Sequence, residues 1–302
     1  MPINKTTSAA VFTWRPAAWL QVTGDDAATF LQGQFTNDLR GIEVGEARYG
    51  LWLSIKGKVL ADSFVIRGAG AGQFWVGSYF SAASVIRERL EGYVIADDVT
   101  LADETDAWAG VSVLAGEGQA VAGWDAGLTQ EGVVFRGRRG GAGLEVLYRV
   151  GDGLPAMLSQ RMSAVPELTE SELERRRIAA GIPAVPADVG PGDLPNEARL
   201  EAEAISYTKG CYLGQEVMAR LKSMGQVRRR LVRVRGAGEC PESLPAALFA
   251  GERRAGEVRS AVSDEGGGWI GMAMISLLAA NGASELALAA PASQKVGLVD
   301  PL

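Results

Sequence analysis

The chain has 302 residues, of which 47% are hydrophobic and 22% are charged, so it is long enough for two or three domains and has the composition of a soluble globular protein. Its net charge of −6 argues against a surface that attracts nucleic acid as a whole. The chain contains no histidine, which excludes a His general base, a Ser-His or Cys-His pair and a His metal ligand.

Targeting signals and cysteine usage set further limits. The N-terminal sequence has no long apolar core and no cleavage pattern, and no run of about 18 apolar residues occurs, so we expect neither export nor a membrane span. Cys211 and Cys240 are too few for a disulfide framework or for a tetrathiolate cluster within one chain. We therefore expect a cytoplasmic protein without a metal site of its own.

The first third of the chain alternates strand and helix signals in the manner of an α+β unit. The expected elements are a helix over 24–35 that Asp25 caps, a hairpin of strands 48–54 and 58–67, a strand over 73–77 and a helix over 81–91. A second set follows, with strands near 107–114, 131–136 and 143–149 and helices over 153–163 and 169–180.

The rest of the chain changes character twice. Residues 182–196 are rich in proline and glycine and predict a loop or linker. After about residue 227, short alternating strands separated by glycine turns predict a small β-barrel domain. We expect one region over 1–226, made of a subdomain from 1–100 with 165–226 and another over 101–164, and a barrel over 227–302.

One segment, from Lys209 to Arg235, is strongly basic. Eight of its residues are Lys or Arg, and Glu216 is its single acid. Such a segment suits an anionic ligand or an RNA phosphate, and it equally suits a solvated strand face. Charge alone leaves both interpretations open.

The same segment holds the most informative run of the chain, from Tyr207 to Arg220. A nearby ammonium such as that of Lys209 favours the thiolate of Cys211, and Gly210 permits close approach to its sulfur. A lone cysteine is nevertheless more often an inert small hydrophobic residue. Glu216 and Arg220 are four residues apart, which also fits an ordinary ion pair on a helix surface.

Several motifs together resemble the YgfZ family of folate-binding proteins, a branch related to the aminomethyltransferase (T-protein) of the glycine cleavage system. The signature is carried by a cluster of residues that surrounds the cysteine: Lys209, Gly210, Cys211, Tyr212, Gly214, Gln215, Glu216, Ala219 and Arg220. Weaker matches are the helix around 24–38, the hairpin residues 56–58, the stretch 177–183 and the stretch 194–197.

The resemblance implies a fold of two ferredoxin-like α+β units plus a C-terminal β-barrel, arranged around a central folate pocket. It implies a protein that binds tetrahydrofolate or a one-carbon derivative and supports iron–sulfur enzymes, and through them tRNA modification. The expected partners are folate and iron–sulfur client or assembly proteins. It also implies that Cys211 is the critical residue, without assigning it the role of a nucleophile.

A folate pocket needs apolar or aromatic walls, a carboxylate for the pterin nitrogens and cations for the glutamate tail. The candidates are Trp19 for a wall, Glu145 for the carboxylate, and Tyr207 with Arg229 or Arg230 near the entrance. Each has a plainer interpretation, since Trp19 fits a core position and Glu145 fits a solvated strand position.

Two other functions are open to a chain of this kind. An aminomethyltransferase depends on an aspartate after a strand, and the matching position here is Ala83, with no acid from Gln73 through Ile86. An RNA- or protein-binding adaptor that uses the basic strand is the other possibility, although no aromatic residues lie among those arginines to stack on bases.

Overall fold

The computed structural model of the chain describes residues 9–115, 127–129, 132–140, 143–281, 286–288 and 294–301. In chain order, the strands of this part, β1 to β16, are Ala10–Trp14, Ala18–Thr23, Ala47–Leu53, Val59–Arg67, Phe74–Ser78, Thr100–Asp103, Trp108–Leu114, Gly127–Thr129, Gly132–Arg136, Gly143–Arg149, Arg229–Gly236, Ala246–Ala250, Arg253–Ser263, Trp269–Ser276, Leu286–Ala287 and Lys295–Leu298. The α-helices, α1 to α7, are Ala27–Gln34, Ala83–Glu91, Ala156–Ala164, Glu170–Ala179, Glu201–Ala204, Gln215–Met224 and Leu277–Ala280.

The first unit is an antiparallel sheet in the order β3-β4-β5-β2-β6, covered by α1 and α2. Phe30 and Leu31 of α1 and Ile86 and Leu90 of α2 are buried in one cluster with the strands, as the apolar spacing in these segments predicts. The predicted helices, hairpin and strand are confirmed. The predicted cap is wrong: the N-cap is Asp26, and its carboxylate accepts a bond from the Asp98 N–H instead of from the helix.

The second unit is an antiparallel sheet in the order β1-β7-β10-β9-β8, on which Leu158 of α3 packs. Trp19 and Phe64 of the first sheet lie in one buried cluster with Trp108 and Phe135 of the second. The two sheets therefore face each other across an aromatic layer. Because β1 pairs with β7, the chain contributes its first described strand to the second unit and then crosses to the first.

The third unit is a closed barrel in the order β11-β14-β13-β12-β15-β16, as the short alternating strands predict. The segment between α3 and the barrel joins the units. Thr169 and Glu172 form a capping box at the start of α4, as expected. Ile178 and Leu200 pack in one core with Leu53 of the first unit and Met272 of the barrel.

The architecture is thus α+β, with two sheet-based units and a C-terminal barrel. The predicted fold class is confirmed. No helix in the described residues is long and apolar enough to cross a membrane.

Candidate functional site

Lys209 fixes the start of the signature loop, residues 207–214, to the first unit. The side chain is buried, and its ammonium donates to the carbonyl oxygens of Gln32, Phe35 and Asn37 at 2.7, 2.6 and 2.9 Å. The Gln32 carbonyl lies in the last turn of α1 and the other two follow the helix end, where a cation is favoured. Burial lowers the pKa of Lys209 to about 8, so the amine stays mostly protonated at neutral pH.

The other end of the signature loop packs on the β3–β4 hairpin. Gly214 has φ +87° and precedes α6, and a Cβ there would lie 2.9 Å from the Ser54 carbonyl oxygen. Gly57 in the hairpin turn has φ +69°, and its Cβ would meet Val217 of α6 at 2.9 Å. Both glycines are therefore required by backbone conformation and by close approach. The end of the signature loop and the β3–β4 hairpin, which are distant in the sequence, therefore pack against each other.

Between these anchors, Cys211 is exposed to solvent. A Cβ on the neighbouring Gly210 would have no atom within 4 Å, so this side of the loop is open. Tyr212 points the other way, into the core that joins the units. The arrangement presents the thiol on a rigidly held loop, where a second molecule can reach it.

The remaining signature residues lie at the start of α6. Gln215 reaches the Lys209 carbonyl only at 3.5 Å. Glu216 and Arg220 form an ion pair, and both side chains are more than two thirds exposed. An exposed pair of this kind contributes little to stability. Their place on the surface beside Cys211 leaves their functional role a prediction.

Two adjoining clefts lie between the units. The smaller lies between the first unit, the second unit and the segment that joins them to the barrel, and the larger lies between the second unit, that segment and the barrel. The smaller is lined by aromatic and charged side chains that include Tyr79, Phe80 and Asp62. The larger has a volume of about 350 Å³ and borders the barrel at Leu231, Val232, Arg233 and Met272. Arg138, Ile182 and Pro183 line both clefts. Cys211 lines neither.

Glu145 is fully buried behind the smaller cleft. Its carboxylate accepts hydrogen bonds from the Tyr79 hydroxyl at 2.8 Å and the Ser112 hydroxyl at 2.6 Å. Burial raises the pKa of Glu145, against the opposing influence of the nearby Arg139 charge. The plainer interpretation of a solvated strand residue is wrong. Tyr79, which lines the cleft, connects it to this carboxylate.

Asp62 is a second buried carboxylate, and it lines the smaller cleft. It accepts bonds from the hydroxyls of Ser78 at 2.8 Å, Ser81 at 2.7 Å and Tyr49 at 3.0 Å. Burial raises its pKa, and these hydroxyls oppose the rise. Ser78 ends β5, and Ser81 lies in the turn that leads to Ala83. The fold thus places the Asp62 carboxylate next to the turn before Ala83, and this turn contains no acidic residue.

Arg139 sits among aromatic rings at the wall of the smaller cleft. Its guanidinium carbon lies 4.1 Å from the ring centre of Tyr79 and 4.7 Å from that of Trp14. Arg138 likewise lies 3.8 Å from the ring centre of Tyr49 and pairs with Glu203. The cleft therefore combines aromatic surface, cations and carboxylates.

The other candidate folate residues lie outside both clefts. Trp19 is buried in the aromatic layer between the sheets, stacked on Trp75 with ring centres 5.7 Å apart. Tyr207 packs on the core, and the Lys222 ammonium lies 4.3 Å from its ring centre. Arg230 is half-buried, and its Nε has no partner in the described residues. Their part in ligand binding stays a prediction.

Three arginines of the basic segment, Arg220, Arg229 and Arg233, form ion pairs with acids. Arg229 donates to Glu197 at 2.8 and 3.0 Å and to Asp193 at 2.9 Å. Arg233 binds Asp300 through Nε and Nη2. These pairs attach barrel strand β11 to the preceding loop and to the chain end, so Arg229 has a structural role that its position in a charge run does not reveal.

None of the folate candidates selected from the sequence lines either cleft, and Asp62 and Arg138 are two of the lining residues that the selection missed. An acid inside the apolar strand β4 was the available signal for Asp62, because a carboxylate in such a run must be buried with partners. Arg138 carried no local signal, since its significance comes from contact with Tyr49 and Glu203 of distant segments.

Comparison with known proteins agrees with this architecture. Residues 5–121 match the model of the GCVT N-terminal domain. The aminomethyltransferase T of the glycine cleavage system from Bartonella henselae superposes with a TM-score of 0.77 at 19% identity, covering 99% of this chain and 86% of that one. The chain therefore has the fold of the T-protein.

Sequence relatives narrow the class to a family. The mouse mitochondrial iron-sulfur cluster assembly factor IBA57 is 30% identical over 290 residues, covering 85% of this chain and 75% of the relative. The tRNA-modifying protein YgfZ of Escherichia coli O127:H6 is 27% identical over 268 residues, covering 82% and 79%. The chain belongs to the YgfZ and IBA57 family, and the predicted family resemblance is confirmed.

Proposed function

We propose that this protein binds tetrahydrofolate or a one-carbon derivative of it and supports the assembly or repair of iron–sulfur enzymes, and thereby tRNA modification. Its relatives, named as an iron-sulfur cluster assembly factor and a tRNA-modifying protein, support the cellular role. The cytoplasmic location stays a prediction from the sequence.

The observation that carries the folate proposal is the pair of adjoining clefts between the three units. A volume of about 350 Å³ in the larger cleft lies in the range of small-molecule sites. The aromatic walls and the buried Asp62 of the smaller cleft match the flat ring and hydrogen-bond donors of a pterin. This cleft has an open volume of about 20 Å³, room for about one water molecule, so its walls must separate for a pterin to enter. The aromatic rings and the carboxylate in these clefts therefore match the chemistry of a folate.

Within this site, each residue has a proposed task. Asp62 accepts from the pterin nitrogens, and Tyr79 and Phe80 form the wall. Glu145 positions Tyr79 through their hydrogen bond. Arg138, which lines both clefts, donates to the ligand through the guanidinium N–H groups that do not bind Glu203. Bound folate would supply a carrier for a one-carbon unit.

We place Cys211 outside this pocket, as the group that a partner protein reaches. Its exposure, the open side at Gly210 and its absence from both cleft linings support this assignment. The indirect route to tRNA, through iron–sulfur enzymes, is favoured over direct binding because Arg229 and Arg233 are already paired with acids.

Replacing the exposed cysteine tests the cellular role. Cys211→Ala leaves the free energy of unfolding within about 0.5 kcal/mol of the wild type, since an exposed side chain makes few contacts. In cells that depend on the variant, we expect an iron–sulfur enzyme reporter to lose most of its activity. Cys240→Ala is the matched control and should leave the reporter active. Full reporter activity with Cys211→Ala would contradict the proposal.

A folate-dependent aminomethyltransferase is the second candidate, and the buried Asp62 beneath the turn before Ala83 favours it. Asp62 is engaged by three hydroxyl groups, which limits its capacity to accept a proton from substrate. We expect no transfer from an aminomethyl-lipoyl carrier protein to tetrahydrofolate. Turnover that Asp62→Asn abolishes would establish this second function instead.

A further inference from the structure

The larger cleft has one positive charge that its own acids do not balance. Three arginines and two carboxylates line it. Arg138 pairs with Glu203, and Arg233 binds Asp300 at distances between 2.6 and 3.1 Å. The third arginine, Arg199, has no acid among the lining residues to balance its charge.

Arg199 is exposed, and its guanidinium forms no hydrogen bond or ion pair within the described ranges of the chain. Its positive charge influences the cleft electrostatically, without a direct bond to a lining residue. Although burial opposes the effect, hydrogen bonds from Arg233 and the charges of Arg233 and Arg199 hold the pKa of Asp300 below its ordinary value. All five donors of the Arg199 guanidinium are therefore available to a ligand.

The backbone of Arg199 is also unusual. With φ 58° and ψ 23° it is left-handed, and it is the single non-glycine residue with positive φ in the part of the chain that the structure describes. Glycine or asparagine suits this conformation better, because Cβ crowds the backbone there. Arg199 ends the 3₁₀ turn Pro195–Ala198, and a left-handed residue is common at such an end, where it is usually glycine or asparagine. The turn itself therefore does not require an arginine at this position. The bond from the Leu200 N–H to the Pro195 oxygen, 3.1 Å long, helps to hold the turn.

We propose that Arg199 binds a carboxylate of the glutamate tail of the folate, and so selects folates that carry a tail. This inference rests on the proposed folate site. A planar guanidinium matches a carboxylate with two parallel hydrogen bonds. Because Arg138 and Arg233 are already paired with Glu203 and Asp300, Arg199 is the arginine of this lining that can receive an anionic tail. Arg199 is thus the residue of the cleft that determines specificity for the tail.

Calorimetric titration with two ligands tests the assignment: 5-formyl-tetrahydrofolate and its tailless counterpart, 5-formyl-tetrahydropteroate. We expect the wild type to bind the tailed ligand at least about tenfold more tightly, as a charge-assisted pair provides. Arg199→Gly should lose this preference and bind the tailless ligand with unchanged affinity. Its melting temperature should be equal to or above that of the wild type, because glycine relieves the backbone crowding.

Two further variants separate charge from structure. Arg199→Lys keeps the charge and should retain part of the tail preference, whereas Arg220→Ala removes an exposed arginine that lines neither cleft and should retain all of it. A tail preference that persists in Arg199→Gly, or an equal loss of affinity for both ligands, would overturn the inference. Equal wild-type affinity for both ligands would overturn it while leaving the folate site intact. Binding of neither ligand would overturn the proposed function as well.

Discussion

Glu145 depends on a glycine for its place in the core. Its carboxylate lies between Tyr79 and Ser112, and a Cβ on Gly137 would approach its Oε1 to 2.2 Å. No side chain fits at residue 137 while the carboxylate keeps these two donors. The sequence around Gly137 does not indicate this requirement, because glycine occurs in loops for many different reasons.

Gly137→Ala should therefore destabilise the protein by about 1–3 kcal/mol, because the added methyl group displaces a hydrogen-bonded buried carboxylate. Gly33→Ala is the control, since a Cβ there meets no atom within 4 Å and alanine favours the helix by about 0.5–1 kcal/mol. Urea denaturation measures both. Equal free energies of unfolding for the two variants would disprove the packing argument.

The raised pKa of Glu145 predicts a pH dependence with a definite sign. Because burial raises this pKa above its ordinary 4.5, the folded protein binds the proton more tightly than the unfolded chain. The resulting stabilisation is complete below the unfolded pKa and disappears as the pH rises through the folded pKa.

Glu145→Gln removes this titration and should abolish its pH dependence. We expect the wild type to gain stability relative to Glu145→Gln by on the order of 1 kcal/mol when the pH falls from 8 to 5. Chemical denaturation at the two pH values measures the difference. A difference between the two proteins that does not change with pH would contradict the account.

At the level of elements, the signature helix α6 and the β3–β4 hairpin act as one unit. Gly214 and Gly57 lie at their contact, and both adopt positive φ. The loop that carries Cys211 is held between this contact and the Lys209 ammonium. The position of the thiol is therefore determined by backbone contacts at both sides.

Gly214→Ala should destabilise the protein more than Gly225→Ala does. The two glycines bound the same helix with φ +87° and +64°, yet only the Cβ at residue 214 would meet backbone, the Ser54 oxygen at 2.9 Å. Backbone strain is common to both variants, so the difference, about 1–2 kcal/mol, reports the contact. Thermal and urea denaturation measure it. Equal effects would show that α6 does not depend on the hairpin.

The periodicity of apolar residues was sufficient to predict most elements, because each helix and strand buries one face. It predicted α1 and α2 and the hairpin within a few residues. It could not predict that β1 joins β7, since pairing between distant strands leaves no local pattern. The cap of α1 was misplaced by one residue because Asp25 and Asp26 are equally suited by type.

At the scale of the whole molecule, the candidate site exists only where the three units meet. Arg138 comes from the second unit, Leu231 from the barrel, and Ile182 from the segment between them. The signature could be recognised in the sequence because its residues are contiguous. The cleft could not, because its lining residues come together through the packing of sheets and barrel. For this reason Asp62 was missed, and the selection of Glu145 as the carboxylate for the pterin stays a prediction.

The central claim is that this cleft binds a reduced folate. The most direct measurement is a calorimetric titration of the wild type with 5-formyl-tetrahydrofolate, with Arg138→Ala as the variant and ATP as a control anion. We predict one saturable site for the folate, affinity at least about tenfold weaker in Arg138→Ala, and no saturable heat with ATP. The absence of saturable heat with the folate, or identical binding by Arg138→Ala in its folded state, would contradict the account.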